Sequence, residues 1–190
     1  MMTDRLKRLQ KLTRDVFIKA NMQKYYEHTE RVVGYTKILI DKYNVQKELV
    51  LAAAWIHDIG RVIDNTFLGH VQSLDKKGFF LLTEASFSDK EINEIINIAN
   101  KHHPLSMCMI SSIESQIIYD ADNLDLVGAI GLIRWFDTFP SDTLQLKESA
   151  QMFIEIYNEA IKLKGRFFYT DEANIIGAGR LSVSDFMSCH

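Results

Sequence analysis

A histidine and an aspartate stand side by side, as His57 and Asp58, at the end of the most apolar segment of the chain, "LAAAWIHDIGR". Both groups are costly to bury without a partner. A second histidine, His28, lies four residues before Val32 on the apolar side of a segment with helical spacing. Two further acids, Asp120 and Asp122, sit in the apolar stretch "IIYDADNLD". Imidazole and carboxylate are good ligands for divalent Mn, Fe, Co, Ni or Zn, and such an ion supplies the partner that buried polar groups lack. A single histidine on an apolar face is ordinary packing. Three separate helices each delivering such a group point instead to a metal centre.

The elements that must carry these groups read as helices throughout. Leu6, Leu9, Leu12, Val16 and Phe17 trace a stripe on a first helix, interleaved with Arg5, Lys7, Arg8, Lys11 and Arg14 as a solvated face. A second helix is expected from about Tyr26 to Tyr43, with Val32, Tyr35, Leu39 and Tyr43 on one side. A third, about Gln46 to Ile59, is apolar on every side from Leu49 to Ile56 and so central, with Gly60 placed to close it. "DNTFLGH" reads as a loop and "VQSLDKKGFFLL" as a helix. "SDKE" opens another helix at Ser88 with a capping-box pattern, and Pro104 stops it beyond His102 and His103. "SSIESQIIYDADNLDLVGAIGLIRWF" is helical with one bend, and a long amphipathic helix is expected from about Asp142 to Lys164. The tail is less regular and closes with a short helix. The expectation is an all-α, single-domain helical bundle spanning residues 1–190.

Bulk properties narrow the class. Hydrophobic residues make up 47% and charged residues 25%, an ordinary globular balance. A formal net charge of -3 is too mild to steer the chain to nucleic acid polymers or an anionic surface. Cys108 and Cys189 belong to no paired-cysteine motif and read as reduced thiols. "MMTDRLKRLQKLTRDVF" has no apolar signal core, and no run approaches the roughly 20 apolar residues of a membrane span. A soluble cytoplasmic protein with no membrane partner is expected. The helix at 142–164 suits packing within the chain or across a homodimer.

The order His28, His57-Asp58, Asp122 resembles the HD-domain superfamily of metal-dependent phosphohydrolases. "HTERVVGYTKIL" is similar to that family's first ligand helix and "LAAAWIHDIGR" to its central one. "GHVQSL" and "NKHH" resemble its intervening histidine motifs, and "DADNLDLVGAIGLIRWF" its last ligand helix, as in the small branch with a DADxLDxxGAIG pattern. The likeness runs from about Tyr25 to Phe136. It implies a divalent ion, Mn, Fe, Co, Ni, Zn or Mg, held by His28, His57, Asp58 and Asp122, with Asp120 the competitor for the last place. The "AD-x-LD" pattern favours Asp122. Members with two ions use further histidines, and here His70 and His102 or His103 stand in the matching order, for a second ion or for substrate.

The resemblance also implies a small phosphorylated substrate, with a nucleotide the natural choice, cleaved by metal-activated water. Asp58, or an acid near it such as Asp125, would orient that water. Arg61 and Lys101 would offset phosphate charge in the transition state, with Arg31 and Arg134 as further cations near the ligand helices. Two other functions fit the same residues. One is a di-iron oxygenase with the H-HD-H-H-D set; the other is a regulatory module that binds metal or nucleotide without turnover.

Overall fold

The computed structural model describes residues 2–66, 69–102, 110–136, 155 and 168–188, with only the backbone described at 132, 135–136 and 181–188. The chain is an all-α helical bundle, with no strand among the described residues. It divides into two compact units, Met1–Ala121 and Asp122–His190. The helix expected over 142–164, together with Cys108, Cys189 and His103, falls outside the described residues apart from Glu155.

In the first unit, α1 (Asp4–Lys19) starts where the Thr3 side chain accepts a hydrogen bond from the Leu6 amide at 3.3 Å. Its buried stripe is Leu6, Leu9, Thr13 and Phe17. Thr13 therefore occupies the place where Leu12 and Val16 are expected, and those two stay half-buried. Helix α2 (Gln23–Ile40) buries His28 and Val32 on one side, as their four-residue spacing requires. Helix α3 (Lys47–Ile56) is the central rod: Ala52, Ala53 and Ala54 are fully enclosed, and it packs against α1, α2, α4 (Gly69–Glu84) and α5 (Asp89–Ala99). Three alanines in a row leave no side-chain bulk, which allows neighbours on several sides to approach.

The rod stops earlier than periodicity indicates. Asp58, at φ -104° and ψ 6°, has left helical geometry, and a short 3-10 turn follows over Ile59–Val62. Gly60 does not close the rod by a left-handed turn; its φ is not positive. Its value lies in close approach, because a Cβ there would overlap the backbone carbonyl of His70 and come within 2.8 Å of the Leu74 amide nitrogen. The α4 backbone thus lies directly against the turn that carries Asp58. His70 belongs to the first turn of α4 and not to a loop.

Helix α5 carries the expected capping box. Ser88 Oγ accepts from the Glu91 amide at 3.5 Å, and the Glu91 carboxylate accepts from the Ser88 amide at 2.8 Å. Arg5 joins three elements, pairing with Glu48 of α3 at 2.6 Å and Glu91 of α5 at 3.0 Å while lying 4.4 Å from the Phe87 ring centroid. Burial works against charge on Glu48, but hydrogen bonds from Arg5 and Thr3 outweigh it and lower its pKa. Glu91 is lowered first by the Ser88 backbone and side-chain hydrogen bonds and then by Arg5.

Helix α6 (Ile113–Leu124) leads into α7 (Gly128–Phe136) through the expected break, where Gly128 takes φ +80°. In the second unit α7 packs against α8 (Asp171–Ser188). This last helix corrects the reading of an irregular tail: it runs for 18 residues. Thr170 Oγ1 accepts from the Ala173 amide at 3.3 Å, and Asp171 and Glu172 lie in the first turn. Gly177 is where the Phe168 ring lies against the helix.

Three outcomes follow for stability. Arg5→Ala lowers unfolding free energy by about 1 kcal/mol, the scale of a part-exposed ion-pair network, read from urea denaturation midpoints. Because both glutamates are held below the usual range in the fold, the stability they lend is complete above that range. It is lost as pH falls through their folded values, and the variant shows a shallower acid dependence. Gly60→Ala costs roughly 1–3 kcal/mol, as overpacking against backbone does, in the same measurement.

Candidate metal centre

Five polar side chains of the first unit converge with almost no solvent exposure: His28 from α2, His57 and Asp58 from the end of α3, His70 from α4 and His102 from just beyond α5. They form two groups of three, His28–His57–Asp58 and Asp58–His70–His102, each with its ligand atoms within 4.8 Å of one another. Asp58 belongs to both. Its Oδ2 lies 3.8 Å from His28 Nε2 and 4.0 Å from His57 Nε2, while its Oδ1 lies 3.6 Å from His70 Nε2 and 3.8 Å from His102 Nε2. One carboxylate thus presents a different oxygen to each pair of imidazoles.

Backbone carbonyls set the histidines. His57 Nδ1 lies 2.8 Å from Ala54 O, His70 Nδ1 3.0 Å from Thr66 O, and His102 Nδ1 2.6 Å from Ala99 O. A carbonyl only accepts, so each Nδ1 carries the proton and donates it. In the neutral ring Nε2 is then a bare lone pair. His70 Nε2 and His102 Nε2 face each other at 3.4 Å, and His57 Nε2 lies 3.3 Å from His28 Nε2. For His70 and His102, whose Nδ1 atoms both donate to carbonyls, the facing Nε2 lone pairs are placed to share a cation. The donor set therefore fits divalent metal, with each oriented imidazole in the tautomer a ligand needs.

The charge states agree. Burial opposes ionisation of Asp58, but the charge environment led by the Arg61 guanidinium overcomes it and holds the carboxyl well below the usual range. Burial also lowers the His70 pKa, against the pull of Asp58, favouring the neutral ring that coordinates. Arg61 Nε lies 2.7 Å from Asp58 Oδ2, with the arginine side chain 22% exposed.

The other expected residues are placed as follows. Lys101 is half-buried at the end of α5, next to His102. Asp120 is fully enclosed on the part of α6 in the first unit, whereas Asp122 is half-buried and begins the second unit. Arg134 is engaged within the second unit, its Nη1 2.5 Å from the buried Asp125 carboxylate. That pairing joins the acid expected near the reacting water to one of the further expected cations. Spacing alone does not disclose three supporting groups. Thr66 caps α4 through the Gly69 amide at 3.1 Å while its carbonyl orients His70. Gly60 admits α4, and Tyr25 lies under Arg61. The adjacent Asp64-Asn65-Thr66 turn is the only sequence sign of the first.

Comparison with known proteins agrees with this geometry. The family model for the HD domain matches residues 25–126. No curated protein matches the chain. In fold the chain is similar to YpgQ of Bacillus subtilis at 18% identity, over 97% of this chain and 91% of that one, with a TM-score of 0.73. YpgQ in complex with ADP gives 20%, 97%, 90% and 0.69 on the same measures. An HD-superfamily hydrolase from Bacillus thuringiensis gives 20%, 96%, 92% and 0.71.

Two half-sites sharing one carboxylate fail differently when pruned. His102→Ala should lose one equivalent of bound manganese and keep the other, and Asp58→Ala should lose both, measured by metal analysis after equilibrium dialysis. Retention of two equivalents in Asp58→Ala would break the shared-carboxylate account.

Proposed function

The chain belongs to the HD-domain family of metal-dependent phosphohydrolases, and from that premise we propose that the phosphorylated substrate it cleaves is a nucleotide. The observation that carries the hydrolase chemistry is the pair of donor groups joined through Asp58. What supports the nucleotide is the similarity in fold to a protein solved with ADP.

A divalent metal held by these residues would supply Lewis-acid polarisation and lower the pKa of a bound water, so that hydroxide is available as nucleophile near neutral pH. The chain's own groups do the rest. Asp58 stays ionised and fixes the two histidine pairs about one point. The carbonyls of Ala54, Thr66 and Ala99 hold three imidazoles in the coordinating tautomer, so the site needs no reorganisation when substrate arrives. Arg61, paired to Asp58 and partly open to solvent, brings its planar guanidinium to the rim, where it receives a phosphate and offsets charge as it builds. Lys101 adds a second cation from the end of α5. His70 and His102 serve a second ion, and a soluble, cytoplasmic setting suits a small nucleotide substrate.

The test is phosphate release from a panel of nucleoside mono-, di- and triphosphates with added Mn, Co, Ni or Mg. The native chain should release phosphate with at least one pair, and Asp58→Ala should reduce the rate by at least about 10³-fold, the scale of losing a group that organises the reacting centre. Arg61→Ala should raise KM and lower kcat, retaining metal. Oxygen-dependent turnover with two irons and no phosphate release would overturn the proposal.

A further inference from the structure

Tyr25 is the ring around which positive charge gathers beside the metal donors. Arg61 Cζ lies 5.2 Å from its centroid and Lys24 Nζ 5.8 Å. The ring is itself stacked on the fully enclosed Phe17, with centroids 6.4 Å apart and planes 19° from parallel. Tyr25 precedes His28 by three residues on α2, so a single turn carries both a metal donor and this support. Arg61 in turn places Nε 2.7 Å from Asp58 Oδ2. A continuous line of contacts therefore runs from the α1 core through Tyr25 and Arg61 to the shared carboxylate.

An arginine at the rim has many rotamers to lose when it binds an anion. Here the carboxylate draws one edge of the guanidinium, and the π cloud of Tyr25 attracts the cation as a whole. Lys24, brought to the same ring, raises the positive potential at this edge of the site although the chain's formal net charge is -3. Two like charges near one ring repel each other. The ring's quadrupole offsets part of that repulsion, and an arriving phosphate offsets more.

We propose that Tyr25 is a positioning residue for phosphate binding: with Lys24 alongside, it holds Arg61 so that the guanidinium meets a substrate phosphate while staying paired to Asp58. The proposal rests on the phosphohydrolase reading, since it takes the anion to be a substrate phosphate. Nothing in it depends on the tyrosine hydroxyl, so phenylalanine serves as well and an aliphatic residue does not.

Isothermal titration of the full, manganese-loaded chain with orthophosphate tests this apart from turnover. Tyr25→Leu should weaken binding roughly three- to tenfold, the range of one cation–π contact, at unchanged manganese stoichiometry. Tyr25→Phe should match the native chain. Lys24→Ala, at an exposed position with no core to disturb, should weaken binding about twofold and keeps the test available where loss of the ring costs the fold. Native-like binding by Tyr25→Leu, equal loss in Tyr25→Phe, or no orthophosphate binding by the native chain would each overturn the role of Tyr25. Ring-dependent binding without phosphate release from any nucleotide would sink the proposed substrate and leave the positioning role standing.

Discussion

Everything in the site turns on one buried carboxylate. Asp58 is 4% exposed, yet it is held ionised beside an arginine at 2.7 Å, with imidazoles placed around both of its oxygens. Isolated, such a charge would be expelled or protonated. Surrounded this way, it becomes the common member of two donor groups, and the four histidines acquire a reason to be buried in pairs with their Nε2 atoms facing inward. The histidines and the aspartate are each unfavourable alone and consistent together once cations complete them.

The fold around that carboxylate is arranged for close approach. The enclosed alanines of α3 let several helices pack on one rod, and the absence of a Cβ at Gly60 lets α4 lie against the turn that carries Asp58. His70 comes in with α4 and His102 with the end of α5, so two elements that pack on α3 bring the second donor group to the first. The Arg5 pairs with Glu48 and Glu91 tie α1 to those same elements. Positions far from the chemistry are thereby coupled to it through packing, the only means by which imidazoles 32 residues apart in sequence reach 3.4 Å.

Much of this is legible in the sequence, for identifiable reasons. Helical periodicity locates α1, α2, α3 and α5 to within a few residues, because each buries one stripe or is buried all round. The polar pair after "LAAAWI" stands out because nothing else in that apolar run is charged. The tail escapes: the low amphipathicity of "DEANIIGAGRLSVS" hides an 18-residue helix whose Gly177 admits Phe168. His70 reads as a loop residue because Asn65 and Gly69 flank it, although the helix starts at that glycine. Tyr25 carries no signal, since an aromatic near a helix start is indistinguishable from core until Arg61 is seen beside it.

The shared carboxylate is tested most directly by anomalous scattering from a crystal of the native chain grown with manganese. The account predicts two peaks, one against His28, His57 and Asp58 Oδ2 and the other against His70, His102 and Asp58 Oδ1. Manganese bound away from Asp58, or an Asp58 carboxylate in contact with neither peak, would contradict it.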